Sequence, residues 1–156
     1  MTSSSRPNIP SSRATISTIN IATFNARSIR NKVDEVSYFA INSSIHILAI
    51  TESWLGATVN DTSVKLTGFQ TPFRRDRNEN GGVCIYISNQ LSGKRRRDLE
   101  QPDLELLWIE IYSISHRPLL LGCCYRPPNS TMEFFWKTGS CPRLCCRQRH
   151  TVAGRF

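Results

Sequence analysis

The stretch Ile45-His46-Ile47-Leu48-Ala49-Ile50-Thr51-Glu52-Ser53-Trp54-Leu55 decides the architecture. From Ile45 to Ile50 it is almost continuously apolar and bounded by polar residues. A half-exposed strand would alternate and a surface helix would interleave polar residues, so the run predicts a strand covered on both faces. It delivers Thr51-Glu52-Ser53-Trp54-Leu55 at its C-terminal end, the edge where loops of α/β sheets gather around sites.

Working outward, Ile19 to Phe24 is short, partly alternating and β-branched, a second strand, and it runs into the polar loop Asn25-Ala26-Arg27-Ser28. Asn31 is placed to cap a helix, with Asp34 favouring its positive start. Val33, Val36 and Ala40 give that helix an apolar face. Downstream, 60–67 reads as loop and Gly68 to Phe73 as the approach to another strand. Arg74, Arg75, Asp76 and Arg77 follow, then the turn signal Asn78-Glu79-Asn80-Gly81-Gly82 and the strand Val83 to Ile87. Lys94-Arg95-Arg96-Arg97 reads as a solvated edge or loop. Leu106 to Tyr112 and Leu119 to Tyr125 are two strands with a short link, a predicted hairpin. Strands dominate, helices separate some of them and nothing repeats, which predicts an α/β layered domain with a mixed or antiparallel sheet.

The chain has 156 residues, room for one domain with a real core. No apolar run reaches the roughly 20 residues that span a bilayer, so no membrane partner is expected. The opening MTSSSRPNIPSSRAT is rich in Ser, Pro and Arg and has no apolar segment. It reads as a disordered lead-in over 1–15 and not a secretory signal, and implies an intracellular protein of nucleus or cytoplasm. In that setting the six cysteines are expected reduced, with Cys84, Cys123 and Cys124 as small core residues. Nothing in the sequence points to an oligomer.

Net charge is +8, which favours polyanions. Four of the 20 basic residues, Arg143, Arg147, Arg149 and Arg155, fall after Lys137 with no acid among them. Thr131 to Lys137 looks like the start of an amphipathic helix that Gly139-Ser140-Cys141-Pro142 stops. The domain is therefore expected over 16–137. Residues 138–156 form an unpatterned Arg/Cys-rich tail, as from a frameshift, an alternative exon or a degraded copy. Cys141, Cys145, Cys146 and His150 have some character of a zinc knuckle, but adjacent cysteines seldom both ligate one ion.

Four positions carry chemistry. Metal-assisted phosphodiester cleavage needs hard oxygen ligands and hydrogen-bond donors on the phosphate. Glu52, at the end of the buried strand, is the candidate metal ligand; the plainer reading is a surface glutamate. Asn25 follows the first strand in the same way, where asparagine also serves as a turn residue. Tyr125 and Arg126 close the last strand before Pro127-Pro128-Asn129, a phenol and a guanidinium able to face a phosphate. The plainer reading of Tyr125 is a partly buried core residue. His46 and His116 read as a strand and a turn residue, and 94–97 also matches a nuclear-localisation or DNA-backbone patch.

In order, Asn25-Ala26-Arg27-Ser28, Thr51-Glu52-Ser53-Trp54-Leu55, Arg74-Arg75-Asp76-Arg77 with Gly81-Gly82-Val83-Cys84-Ile85-Tyr86-Ile87, Leu106-Leu107-Trp108-Ile109-Glu110-Ile111 and Cys124-Tyr125-Arg126-Pro127-Pro128-Asn129 form a series. Over about residues 17–137 it resembles the endonuclease/exonuclease/phosphatase (DNase I-like) superfamily, specifically endonuclease domains of LINE-type non-LTR retrotransposons. The resemblance implies a four-layered α/β sandwich, two β-layers flanked by helices. It implies Asn25 and Glu52 at a Mg²⁺ or Mn²⁺ and phosphate site, with Tyr125 as the third catalytic residue, on the scissile phosphate. Arg126 and Asn129 would bind substrate, although Asn129 lies one residue further along than in many relatives. The implied partner is the DNA phosphate backbone, and the implied reaction is nicking that leaves a 3′-hydroxyl for target-primed reverse transcription.

The chain also departs from that family. The later Gly-Asp-Phe-Asn-like motif, a further Asp and a final Asp-His pair do not occur, and no acid follows Lys137. The expectation is an incomplete sandwich whose C-terminal half is missing, inactive as it stands. The alternatives are a non-catalytic basic nucleic-acid-binding remnant and a phosphatase or phospholipase of the same superfamily.

Overall fold

The computed structural model describes residues 16, 18–77, 80–113 and 117–126. The lead-in, Asn78, Glu79, His116, Asn129, the helix from Thr131 and the 138–156 tail with its cysteines lie outside the described residues.

The elements are β1 (Ile21–Asn25), α1 (Val33–Asn42), β2 (Ile47–Thr51), a 3-10 turn (Asp61–Val64), β3 (Phe73–Arg75), β4 (Val83–Ile87), β5 (Ser92–Arg95), a second 3-10 turn (Arg97–Leu99), β6 (Glu105–Tyr112) and β7 (Leu119–Tyr125). They form two sheets, ordered β1-β2-β4-β3 and β5-β6-β7. β1 and β2 are parallel and joined through α1; every other pairing is antiparallel. The predicted hairpin is β6–β7, with Glu105 opposite Tyr125 at its open end.

β2 is buried at every position, as its apolar run requires, and so is its neighbour β4. Ile47, Ala49, Val83, Ile85 and Ile87 face the second sheet, meeting Leu107, Ile109, Ile111, Leu121 and Cys123. Leu48, Ile50, Cys84 and Tyr86 face the other way, onto Val36 and Ala40 of α1 and onto Leu55, Leu66 and Phe69. Full burial of such side chains contributes about 1.5–3 kcal/mol each, so these two layers carry the stability. The Cys84 thiol is pushed up to about 12 by burial and stays protonated, the small core residue its setting predicts. Tyr86 satisfies its hydroxyl by donating to the Val64 carbonyl at 2.8 Å. On the outer face of the second sheet, Trp108 is fully buried with Leu104 and Leu106. Its indole lies flush on β7 at Gly122, where a Cβ would come within 2.8 Å of the ring.

One local reading changes and two are sharpened. The residue before α1 is Lys32, not Asn31, and no side chain caps the helix. Lys32 instead sends its ammonium back to the Ala26 carbonyl at 2.6 Å, closing the loop after β1. After Gly68 there is only a bridge between Phe69 and Ser88; the ladder begins at Phe73 and runs through Arg74 and Arg75. The basic run at 94–97 is entered by an edge strand, β5, whose half-buried positions are Gly93 and Arg95. Arg95 belongs there because Glu100 receives its Nε and Nη2, both at 2.8 Å.

Candidate metal and phosphate site

The parallel ladder of β1 and β2 does not stop at the strand ends. Ala26 N–H donates to Thr51 O at 2.9 Å, Ser28 to Glu52 O at 3.0 Å and Ile29 to Ser53 O at 3.1 Å. The two following loops are thereby zipped together by main chain. Both are strained: Arg27, Ser28, Glu52 and Trp54 have φ of 44, 79, 50 and 51°. Left-handed backbone costs a residue with a Cβ about 1–2 kcal/mol, so the surrounding bonds must enforce it.

Part of that enforcement comes from the turn before β4. Ser53 N–H donates to Gly82 O at 3.2 Å and Trp54 N–H to Gly81 O at 2.9 Å. Gly82 has φ +79°, and a Cβ there would lie 2.9 Å from Ser53 Oγ and 3.2 Å from Arg75 O. Only glycine fits. Arg74 secures the chain beyond Leu55: its guanidinium donates to the carbonyls of Gly56 (2.8 Å) and Val59 (2.9 Å) and pairs with Asp61 (2.7 Å) and Asp76 (2.6 Å).

On this frame Asn25 Nδ2 donates to Glu52 Oε1 at 2.7 Å, while Asn25 Oδ1 receives Arg27 N–H at 3.2 Å. The Tyr125 phenol lies within electrostatic reach of the same carboxylate. Burial and the negative charges of Glu52 and Glu105 hold its pKa above the ordinary tyrosine value; Arg77 pulls the other way. Asn25, Glu52 and Tyr125, from three strands and two sheets, therefore meet. Arg126 follows at the exposed end of β7.

One further residue adjoins them that the sequence reading passed over. Glu105 opposes Tyr125 across β6–β7, accepts Gly82 N–H on Oε2 at 2.6 Å and pairs through Oε1 with Arg77 Nη1 at 2.8 Å. Counting the predicted hairpin back from its link would set Tyr125 opposite Leu106; the observed register, with Ile111 opposite Leu119, shifts the pairing by one and brings Glu105 to it. His46 accepts the Asn20 N–H at 3.0 Å on Nδ1, a structural use away from this cluster.

The donor set is hard oxygen, from one carboxylate and one amide. Among the described residues, no three or more His, Cys, Asp or Glu side chains gather into a metal-holding group. Mg²⁺ commonly takes one or two carboxylates and fills its shell with water and substrate phosphate. The residues fit a hard cation held jointly with a phosphate, and do not fit a protein-only cage. A polar cleft of about 290 Å³ is lined by Arg30, Asn31, Thr58, Val59, Asn60, Ser63 and Val64 and by none of the three.

No family model matches the chain, and no curated protein does. Solved structures match at a TM-score of 0.56. The endonuclease domain of TRAS1, a telomere-specific non-LTR retrotransposon, is 14% identical over 76% of this chain and 49% of its own. An AP endonuclease from Archaeoglobus fulgidus is 18% identical over 78% of this chain and 48% of its own. An AP endonuclease from Leishmania major is 14% identical, over 78% and 45%. The chain thus spans about half the length of each. No helix among the described residues is long and apolar enough to cross a membrane. With its two stacked sheets, the chain carries part of the DNase I-like α/β sandwich fold of these endonucleases.

Proposed function

We propose that this chain supplies the cation- and phosphate-holding part of a Mg²⁺- or Mn²⁺-dependent DNA endonuclease site of the retrotransposon type. The observation that carries the reading is the Glu52 carboxylate, bonded by the Asn25 amide and within electrostatic reach of the Tyr125 phenol, at the ends of β1, β2 and β7. Glu52 and Asn25 would hold the cation, whose chemistry is to polarise the phosphoryl group and offset the charge that grows on it. The protonated Tyr125 is a donor toward a phosphate oxygen, and Asn25 can shift its amide donor from Glu52 to the same group. Arg126 and Asn129 would contact the flanking strand.

The described residues include no group placed to activate water. Loss of a general base alone costs roughly 10²–10⁴-fold, so the chain by itself is expected to bind metal and DNA while cleaving only at trace rate. The function of the whole assembly is nicking that exposes a 3′-hydroxyl for priming.

The test is Mn²⁺ binding by calorimetry in the presence of duplex DNA, paired with nicking of supercoiled plasmid. Glu52→Ala, checked for folding by circular dichroism, is expected to abolish the binding and any nicking above background. Folded Glu52→Ala with the Mn²⁺ affinity of the parent overturns the reading.

A further inference from the structure

Most arginines near the sheet edges are fully committed. Arg74 serves two carboxylates and two carbonyls, Arg75 the carbonyls of Gln101, Pro102 and Leu106, and Arg95 both oxygens of Glu100. Arg77 differs. Its side chain is 45% exposed, and its single hydrogen bond among the described residues is from Nη1 to Glu105 Oε1.

Its placement is specific. The stem crosses Gly81 so closely that a Cβ there would lie 2.8 Å from Arg77 Cδ and 2.9 Å from Glu105 Oε2. Glu105, 16% exposed, is itself fixed by Gly82 N–H and stands opposite Tyr125. The charge of Arg77 reaches the Tyr125 phenol and opposes the pull of Glu52 and Glu105 on it. A guanidinium is a rigid fork with five donors; with one nitrogen on Glu105, Nε and Nη2 remain for a second anion.

We propose that Arg77 is a phosphodiester-binding residue, held by Glu105 across Gly81 so that its uncommitted N–H groups meet a non-bridging oxygen of the DNA strand lying over Tyr125 and Glu52. Glu105 is then a positioning residue: it aims Arg77 and braces the glycine turn behind the Glu52 loop. This inference rests on the phosphodiester reading of the site, and deepens it by naming a substrate contact on the β3–β4 connection. Lysine is a poor substitute because it cannot bond Glu105 and a phosphate with separate edges of one planar group.

The test uses the full chain and a fluorescein-labelled DNA duplex, with anisotropy followed across a salt series in the absence of metal. One phosphate contact contributes about one unit to the slope of log affinity against log salt. Arg77→Ala is expected to lower that slope by about one and to weaken binding alike on unrelated sequences. Arg96→Ala, whose guanidinium is already paired with Asp98 and Glu110, should leave both unchanged. If Arg77→Ala melts early, Arg77→Gln, which can keep a bond to Glu105, is read in its place. A folded variant with parental slope and affinity overturns the Arg77 assignment alone. Failure of the parent chain to bind duplex at low salt overturns this assignment and the site reading together.

Discussion

Two charged regions of this molecule use similar residues to opposite ends. Along the β3–β5 side, Arg74, Arg95 and Arg96 are matched with Asp61, Asp76, Glu100, Asp98 and Glu110, and little of that charge is left to act on anything outside. At the ends of β1, β2 and β7, among the described residues, Glu52 is bonded by the Asn25 amide beside the Tyr125 phenol, and Arg77 is bonded to Glu105 alone. The difference teaches that a basic sequence is not a basic surface. The run at 94–97 looks like a nucleic-acid patch, yet two of its arginines are already paired within the chain, Arg95 with Glu100 and Arg96 with Asp98. The regions also differ in strain: the paired side sits in ordinary backbone, while Arg27, Ser28, Glu52 and Trp54 are all left-handed.

The comparison breaks first if the paired side proves dispensable. Arg74→Ala leaves two carboxylates and two carbonyls without their partner, and losing charge-assisted hydrogen bonds from a mostly buried guanidinium costs about 2 kcal/mol. The measurement is denaturant unfolding, with the midpoint falling and the slope unchanged.

A smaller effect of opposite sign is expected at the site. Glu52→Gly relieves a left-handed residue, so stability should rise by about 1 kcal/mol or hold, while Mn²⁺ binding disappears. A loss of stability as large as that of Arg74→Ala would erase the distinction.

Next is a titration. Because Glu52 and burial hold Tyr125 protonated, its phenol should ionise at higher pH than an ordinary tyrosine, read by carbon-13 tyrosine NMR. Glu52→Gln should bring that pKa down and Arg77→Ala should raise it. The sign for stability follows: a pKa raised by folding gives stabilisation that is whole below pH about 10 and is lost as pH rises through the folded value. The smallest effect is on Arg96→Ala, with no measurable change in melting, since exposed pairs contribute little.

The buried centre of the fold was legible because apolar patterning is local. Ile45 to Ile50 and Val83 to Ile87 have no way to be satisfied except between two layers, and both are. Glu52 and Asn25 were legible as strand-end residues, and Tyr125 joins them through the hairpin. What stayed hidden depends on partners distant in sequence. β5 could not be seen because its inward positions are a glycine and an arginine, and Arg95 is tolerated there only because Glu100 waits for it. Asn31 looked like a cap because asparagine is good at capping, but the chain turns one residue later and Lys32 closes the loop instead. Glu105 falls just before the strand that the sequence predicts from Leu106, and nothing marks it until Gly82 and Arg77 are brought to it.

The zipper that joins the loops after β1 and β2 is made of peptide groups. Each of its rungs, from Ala26 to Ile29 on one side and Thr51 to Ser53 on the other, survives replacement of the side chains that flank it. Mutational drift can therefore rewrite nearly all of the lettering around Glu52 and leave the carboxylate aimed as before. That is a physical reason for shape to persist at 14–18% identity.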